Sequence, residues 1–151
     1  MPDAANDRFT VVTEGPVARV TLCKGDEGNT LAPPDMRAIG AAIREAGSGA
    51  QIRLVVVSGE GADFCLGRRI VKDAPKAKHA RQFRERVADA ILSVYENVRL
   101  TPVPVLAAVQ GQAKGFGCAF AAATDITIAD ADARFSLPEM NGDLPPTPAI
   151  S

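Results

Sequence analysis

Two glycine-bearing segments, Phe64-Cys65-Leu66-Gly67-Arg68-Arg69 and Gly111-Gln112-Ala113-Lys114-Gly115-Phe116-Gly117-Cys118-Ala119, carry the most legible chemistry in this chain. Each follows an apolar, strand-like run and leads towards a helix-like one. A residue without Cβ lets the backbone turn tightly and lets a ligand approach the main chain. Bends at Gly67 and at Gly115 and Gly117 can therefore aim unpaired backbone N–H groups at one oxygen, the arrangement of an oxyanion hole for a thioester carbonyl. A helix opening at the second bend adds partial positive charge, which favours an enolate over its parent carbonyl. On these residues alone the structural alternative, glycines that only permit strand-to-helix turns, stays open.

Other chemistries fit less well. A dinucleotide-binding G-x-G-x-x-G fails at its last position, because Gly115-Phe116-Gly117 is followed three residues on by Phe120. A Walker loop fails for want of Gly-Lys-Ser/Thr. His79, the single histidine, lies in the polar run Lys76-Ala77-Lys78-His79-Ala80-Arg81, so a Ser or Cys nucleophile lacks a base. His79 reads as a surface residue or a contact to a phosphorylated ligand. Glu139, in Pro138-Glu139-Met140 after the strand-like Ala133 to Ser136, is flanked by apolar residues. A partly desolvated carboxylate holds its proton more tightly and can act as a general base near neutral pH. The alternative is a glutamate that caps a loop or pairs with an arginine.

The elements that would position these groups follow from periodicity. Phe9 to Thr13 and Val17 to Leu22 are β-prone and separated by Glu14-Gly15-Pro16, which predicts a hairpin. A polar loop from Lys24 to Thr30 leads to Pro34, placed for a first helical turn. Met36, Ile39, Ile43 and Ala46 then repeat at helical spacing up to Gly47. Ile52 to Ser58 is nearly continuous and β-branched, which predicts a strand covered on both faces. Residues 71 to 81 read as a polar, mobile loop. Phe83, Val87, Ile91, Val94, Tyr95 and Val98 mark one face of a long helix that ends at Thr101-Pro102-Val103-Pro104. Val105 to Val109 predicts another buried strand, Ala119 to Thr124 a small-residue helix, and Ile126 to Ala129 and Ala133 to Ser136 two short strands. The alternation predicts an α/β architecture with right-handed crossovers.

Composition bounds the rest. The chain has 151 residues, 46% hydrophobic and 23% charged, in the range of one domain with a sizeable core. Seventeen Lys and Arg against 18 Asp and Glu give a formal charge of -1, which calls for neither nucleic acid nor an anionic membrane as partner. The N-terminus lacks the basic and apolar regions of a secretory signal, and no apolar run approaches the ~20 residues that span a bilayer, so a cytoplasmic location is expected. Cys23, Cys65 and Cys118 are odd in number and lack metal-ligand spacing, and read as reduced, mostly buried thiols.

Taken in order, several segments resemble the crotonase superfamily, the enoyl-CoA hydratase/isomerase enzymes. They are Val17 to Leu22 with Asn29 and Leu31, Leu54 to Gly59, Asp63-Phe64-Cys65-Leu66-Gly67-Arg68, Thr101 to Gly111, Gly115-Phe116-Gly117-Cys118, Asp125-Ile126, and Ala133 to Glu139. The resemblance implies a stack of ββα units of the ClpP/crotonase type, with residues 1 to 151 as a single crotonase-like core domain. It also implies that the C-terminal helical part is missing, the chain being the N-terminal part of a longer one. Homotrimers or hexamers and acyl-CoA thioester substrates are the family's habit. Coenzyme A then enters as part of the substrate, with no separate cofactor and no metal.

By the same resemblance the backbone N–H groups of Arg68 and Phe116 form the oxyanion hole. Lys24, Leu66, Gly67, Arg69, Gly115 and Gly117 line the coenzyme A site, with Lys24, Arg68 and Arg69 able to meet its phosphates or adenine. Where the family commonly has Ala or Gly, Arg68 and Phe116 are bulky, which implies a reshaped acyl pocket. Hydratases of the family use two glutamates. The positions are Ala119 and Glu139 here, so one carboxylate remains, and double-bond isomerisation is favoured over addition of water. Two rivals stand beside this reading: a non-catalytic acyl-CoA or partner-binding module, and a CoA-thioester hydrolase or decarboxylase on the same scaffold.

Overall fold

The computed structural model describes residues 7–70, 79–138 and 141. The chain opens with a hairpin of β1 (Phe9–Glu14) and β2 (Val17–Leu22), antiparallel and in register from Phe9 opposite Leu22 to Glu14 opposite Val17. Its turn contains Gly15 at φ +57°, a left-handed conformation that an L side chain disfavours. A short 3₁₀ turn (Gly25–Glu27) leads to α1 (Pro33–Gly47), then β3 (Leu54–Gly59). A second helical stretch runs as α2 (Ala80–Phe83), a π segment (Arg84–Ala88) and α3 (Asp89–Arg99). β4 (Val105–Val109), β5 (Gln112–Lys114), α4 (Phe116–Ala122), β6 (Ile126–Ala129) and β7 (Arg134–Ser136) complete the described elements.

Among the described residues the main sheet has five strands in the order β1-β2-β3-β4-β6, and every pairing after the hairpin is parallel. β5 and β7 form a second, two-stranded parallel sheet. Parallel neighbours require crossovers, and α1 supplies one between β2 and β3. α1 buries Met36, Ile39, Gly40, Ile43 and Gly47, and lies on α3 with Gly40 against the Val94 backbone. The β-branched run of β3 has Val55, Val56 and Val57 buried between the layers. Leu22, Leu31, Phe64, Val94, Val105 and Phe120 join Val55 and Val57 in one core cluster.

The predicted helix face needs two corrections. Ile91, Val94 and Val98 are buried and Val87 and Tyr95 partly so, but Phe83 is 44% exposed. The cause is the π segment: one extra residue in a turn rotates everything upstream by about 100° relative to the core stripe. Helix also begins at Ala80, inside the stretch expected to be a loop; residues 71–78 of that stretch lie outside the described residues. The exposed His79 accepts a hydrogen bond from the Gln82 amide at its Nδ1 (3.4 Å), consistent with the surface role read for it. Of the cysteines only Cys65 is buried, whereas Cys23 and Cys118 are partly exposed.

Candidate active site

In a parallel sheet the strands deliver their following loops to one edge, where ligand sites form. Here the loops after β2, β3 and β4 meet at that edge and are laced together. The loop after β2 holds Asn29, which is 1% exposed and sits at φ +52°. Its side-chain oxygen accepts from the Lys24 amide (3.0 Å) while its Nδ2 donates to the carbonyls of Glu60 and Asp63 (2.9 Å each). Asp63 passes the linkage on, its Oδ1 accepting from the Gln112 amide at 2.8 Å. Gln110 returns it, donating from Nε2 to the Gly59 carbonyl at 2.6 Å.

The two glycine segments are zipped directly. Phe64 donates to the Gln110 carbonyl (3.0 Å), Cys65 to that of Gln112 (3.3 Å), and Lys114 to that of Cys65 (2.9 Å). This ladder exists because Gln112–Lys114 is a strand, β5, which the sequence analysis passed over as loop. Gly117 touches the Cys65 backbone so closely that a Cβ there would collide with the Cys65 carbonyl. Gly67, at φ +106°, lies against the other end of the same segment: a Cβ on it would stand 2.9 Å from the Lys114 carbonyl oxygen and 3.7 Å from the Phe116 nitrogen.

The direction of the two amides follows from peptide geometry. No cis bond occurs among the described residues, so each N–H points opposite to the C=O of its own peptide unit. The Gly67 carbonyl, which shares a peptide with the Arg68 N–H, accepts from the Leu31 amide at 3.1 Å. The Arg68 N–H is thereby turned away from Leu31. The Gly115 carbonyl accepts from Ala119 at 3.1 Å as the first bond of α4, so the Phe116 N–H points back off the helix start. Among the described residues neither amide donates to any protein acceptor. Gly115 itself is held at φ 52°, ψ -118°, with its amide on the Ser136 carbonyl of the β7 end (2.8 Å).

The other expected site residues divide. Leu66 gives its amide to the Gly28 carbonyl (2.8 Å). The Arg68 side chain is exposed and Lys24 partly so, and among the described residues neither has a carboxylate partner. Arg69 is paired with Asp35 of α1 at 3.2 Å. The bulk of Phe116 is turned inward: 4% exposed, its ring stacks on Phe120 at 5.5 Å, in the core cluster that also holds Phe64. Ala119 is buried in α4. Glu139 lies outside the described residues. Beneath the loops, burial pushes the Cys65 thiol up to about 12, and its Sγ donates to the Asn29 carbonyl at 3.2 Å, so it is a neutral packing group.

Two residues escaped the sequence analysis as site components. Asn29 entered it only as part of a motif, and Asp35 not at all. Their roles lie in contacts to residues distant in sequence, although a non-glycine at positive φ is most often Asn or Asp, and that preference was a usable signal at Asn29.

Residues 13–148 match the family model described as enoyl-CoA hydratase/isomerase. The chain belongs to that family. It is 30% identical over 135 residues to the short-chain-enoyl-CoA hydratase of Clostridium acetobutylicum, covering 88% of this chain and 50% of that protein. It is 26% identical over 125 residues to the mitochondrial enoyl-CoA hydratase domain-containing protein 3 of Xenopus laevis, covering 83% and 42%. The crystal structure of an enoyl-CoA hydratase/carnithine racemase from Magnetospirillum magneticum superposes with a TM-score of 0.84 at 27% identity, covering 93% of this chain and 53% of that one. The expected crotonase-like α/β fold is therefore the fold of this family member, which spans about half the length of the relatives it matches. Among its described residues no helix is long and apolar enough to cross a membrane, and no cluster of three or more His, Cys, Asp or Glu could hold a metal ion.

Proposed function

We propose that this enoyl-CoA hydratase/isomerase family member acts on an acyl-CoA thioester and stabilises its enolate with the Arg68 and Phe116 amides, while Glu139 carries the proton. The observation that supports this reading is the contact of Gly67 with the Lys114–Phe116 turn, beside two amides that have no protein acceptor among the described residues. In the step proposed, the Glu139 carboxylate removes a proton from the α-carbon of a 3-enoyl thioester. The electron pair moves onto the thioester oxygen, where charge develops and the amides bind it more strongly than the neutral carbonyl. Return of the proton to the γ-carbon regenerates the carboxylate and shifts the double bond.

Ala119 is the reason for favouring isomerisation. Hydration uses a second carboxylate to hold and deprotonate the attacking water, and a buried alanine at that helix position offers none. Relatives of this chain carry the name hydratase, so both reactions belong in the assay. Lys24 and Arg68, cations without a carboxylate partner among the described residues, are assigned to the phosphates of coenzyme A.

The test is steady-state isomerisation and hydration of enoyl-CoA substrates by the wild-type protein and its Glu139→Gln variant. General-base loss should lower isomerisation by about 10²- to 10⁴-fold. Undiminished turnover would remove Glu139 from the mechanism. Binding of acyl-CoA without any turnover would favour the non-catalytic module, and release of free CoA the hydrolase.

A further inference from the structure

The peptide that ends in the Arg68 amide is oriented from Leu31, just before α1, and one ion pair sits where it can hold that orientation. Leu31, 1% exposed, brackets Arg68 with two hydrogen bonds: its amide donates to the Gly67 carbonyl (3.1 Å) and its carbonyl accepts from the Arg69 amide (2.8 Å). Four residues on, Asp35 Oδ2 accepts from the Ala32 amide at 2.8 Å, closing the first turn of α1, and from Arg69 Nη2 at 3.2 Å. The same carboxylate oxygen therefore ties down the residue after Leu31 and the residue after Arg68. Asp35 is mostly buried, with 14% of its side chain exposed, which shields the pair from competing water. Arg69 Nε is buried with no partner among the described residues, and among those residues it is Asp35 that holds this guanidinium.

We propose that Asp35 and Arg69 are a positioning pair that fixes the direction of the Arg68 N–H. The inference rests on the proposed role of that amide. It gives Arg69 a part different from the coenzyme A contact expected of it: it acts on catalysis through its neighbour's backbone and does not touch the thioester. A rotation of the Gly67–Arg68 peptide would weaken the bond to the developing oxyanion while leaving the coenzyme A contacts in place, so the loss should appear in kcat.

The experiment uses the full chain, a thioester labelled with ¹³C at the carbonyl, and the variants Asp35→Asn, Arg69→Gln, Arg69→Lys and the double variant Asp35→Asn with Arg69→Gln. Asp35→Asn keeps an oxygen for the Ala32 amide, so α1 retains its first turn. Difference infrared spectra of the bound thioester report carbonyl polarisation, and kinetics separate kcat from KM. Each single Asn or Gln variant is expected to lose most of the carbonyl downshift and about ten- to a hundredfold in kcat, with KM within about threefold. The double variant should be no worse than either single, because both break one link, and Arg69→Lys should recover part of the downshift. Variants that keep the wild-type downshift, or that raise KM alone, would overturn the proposal and return Arg69 to the ligand. A wild-type complex with no downshift would defeat the oxyanion-hole reading itself, and this inference with it.

Discussion

Gly67 and Lys114 are in backbone contact, with the Lys114 carbonyl oxygen 2.9 Å from where a Gly67 Cβ would lie and Gly67 itself at φ +106°. A side chain there meets both a collision with a rigid carbonyl and an unfavourable backbone conformation. Gly67→Ala is predicted to push the first loop off the second, at about 1–3 kcal/mol of stability. Because one oxyanion donor moves with it, kcat should fall by about 10²- to 10³-fold. Denaturant melts and enoyl-CoA kinetics check the two effects separately; wild-type kcat in this variant would contradict the arrangement.

Asn29 ties three backbone groups from two loops to one buried side chain. Asn29→Ala leaves the Lys24 amide and the Glu60 and Asp63 carbonyls without that partner, and each group left dry costs about 1–3 kcal/mol. Water entering at the loop edge relieves some of this, so a total loss of about 3 kcal/mol is expected. Asn29→Gly tolerates the φ of +52° and should recover about 1 kcal/mol of it. Equal melting points for the two variants would show that backbone strain contributes nothing at this position.

The Cys65 thiol gives a pH signature. Burial raises it from 9.0 to about 12, so the folded state favours the protonated thiol more than the unfolded state does. Its contribution is fully present below the unfolded value of 9.0 and is lost as pH rises from there through about 12. Stability should therefore decline over that alkaline window, and Cys65→Ala should flatten the decline. At about pH 8 a thiol reagent should modify Cys23 and Cys118 in the native protein and reach Cys65 only in denaturant. Reaction of all three thiols in the folded state would contradict the burial.

Phe120 joins the second loop to the core. Its ring is fully buried, stacked on Phe116 at 5.5 Å and 6.2 Å from Phe64. Phe120→Ala opens a cavity beneath both glycine segments and should cost about 3–5 kcal/mol, read from denaturant unfolding. A cost under about 1 kcal/mol would mean that the segments do not share this core.

Much of this architecture was legible because burial writes itself as periodicity. Met36, Ile39 and Ile43 announced the inner face of α1, and the β-branched run at Val55–Val57 announced a strand covered on both faces. The glycines at 67 and 115 were legible because a positive φ is a local need that favours glycine, whereas the need at Gly117 comes from the distant Cys65 backbone. What escaped was set by partners far along the chain. β5 has only three residues and no periodicity to show; it exists because β7 and Cys65 pair with it. The π segment is a choice of backbone hydrogen bonds that no side chain encodes, and it turned Phe83 outward. Arg69 reads in the sequence as a coenzyme A contact, because its partner Asp35 lies 34 residues earlier.

The account turns on whether two backbone amides share one substrate oxygen. A crystal structure with a non-reactive acyl-CoA analogue measures this directly. The thioester oxygen should lie about 2.7–3.1 Å from the nitrogens of both Arg68 and Phe116. An oxygen bound elsewhere, or within reach of only one of the two amides, would contradict it.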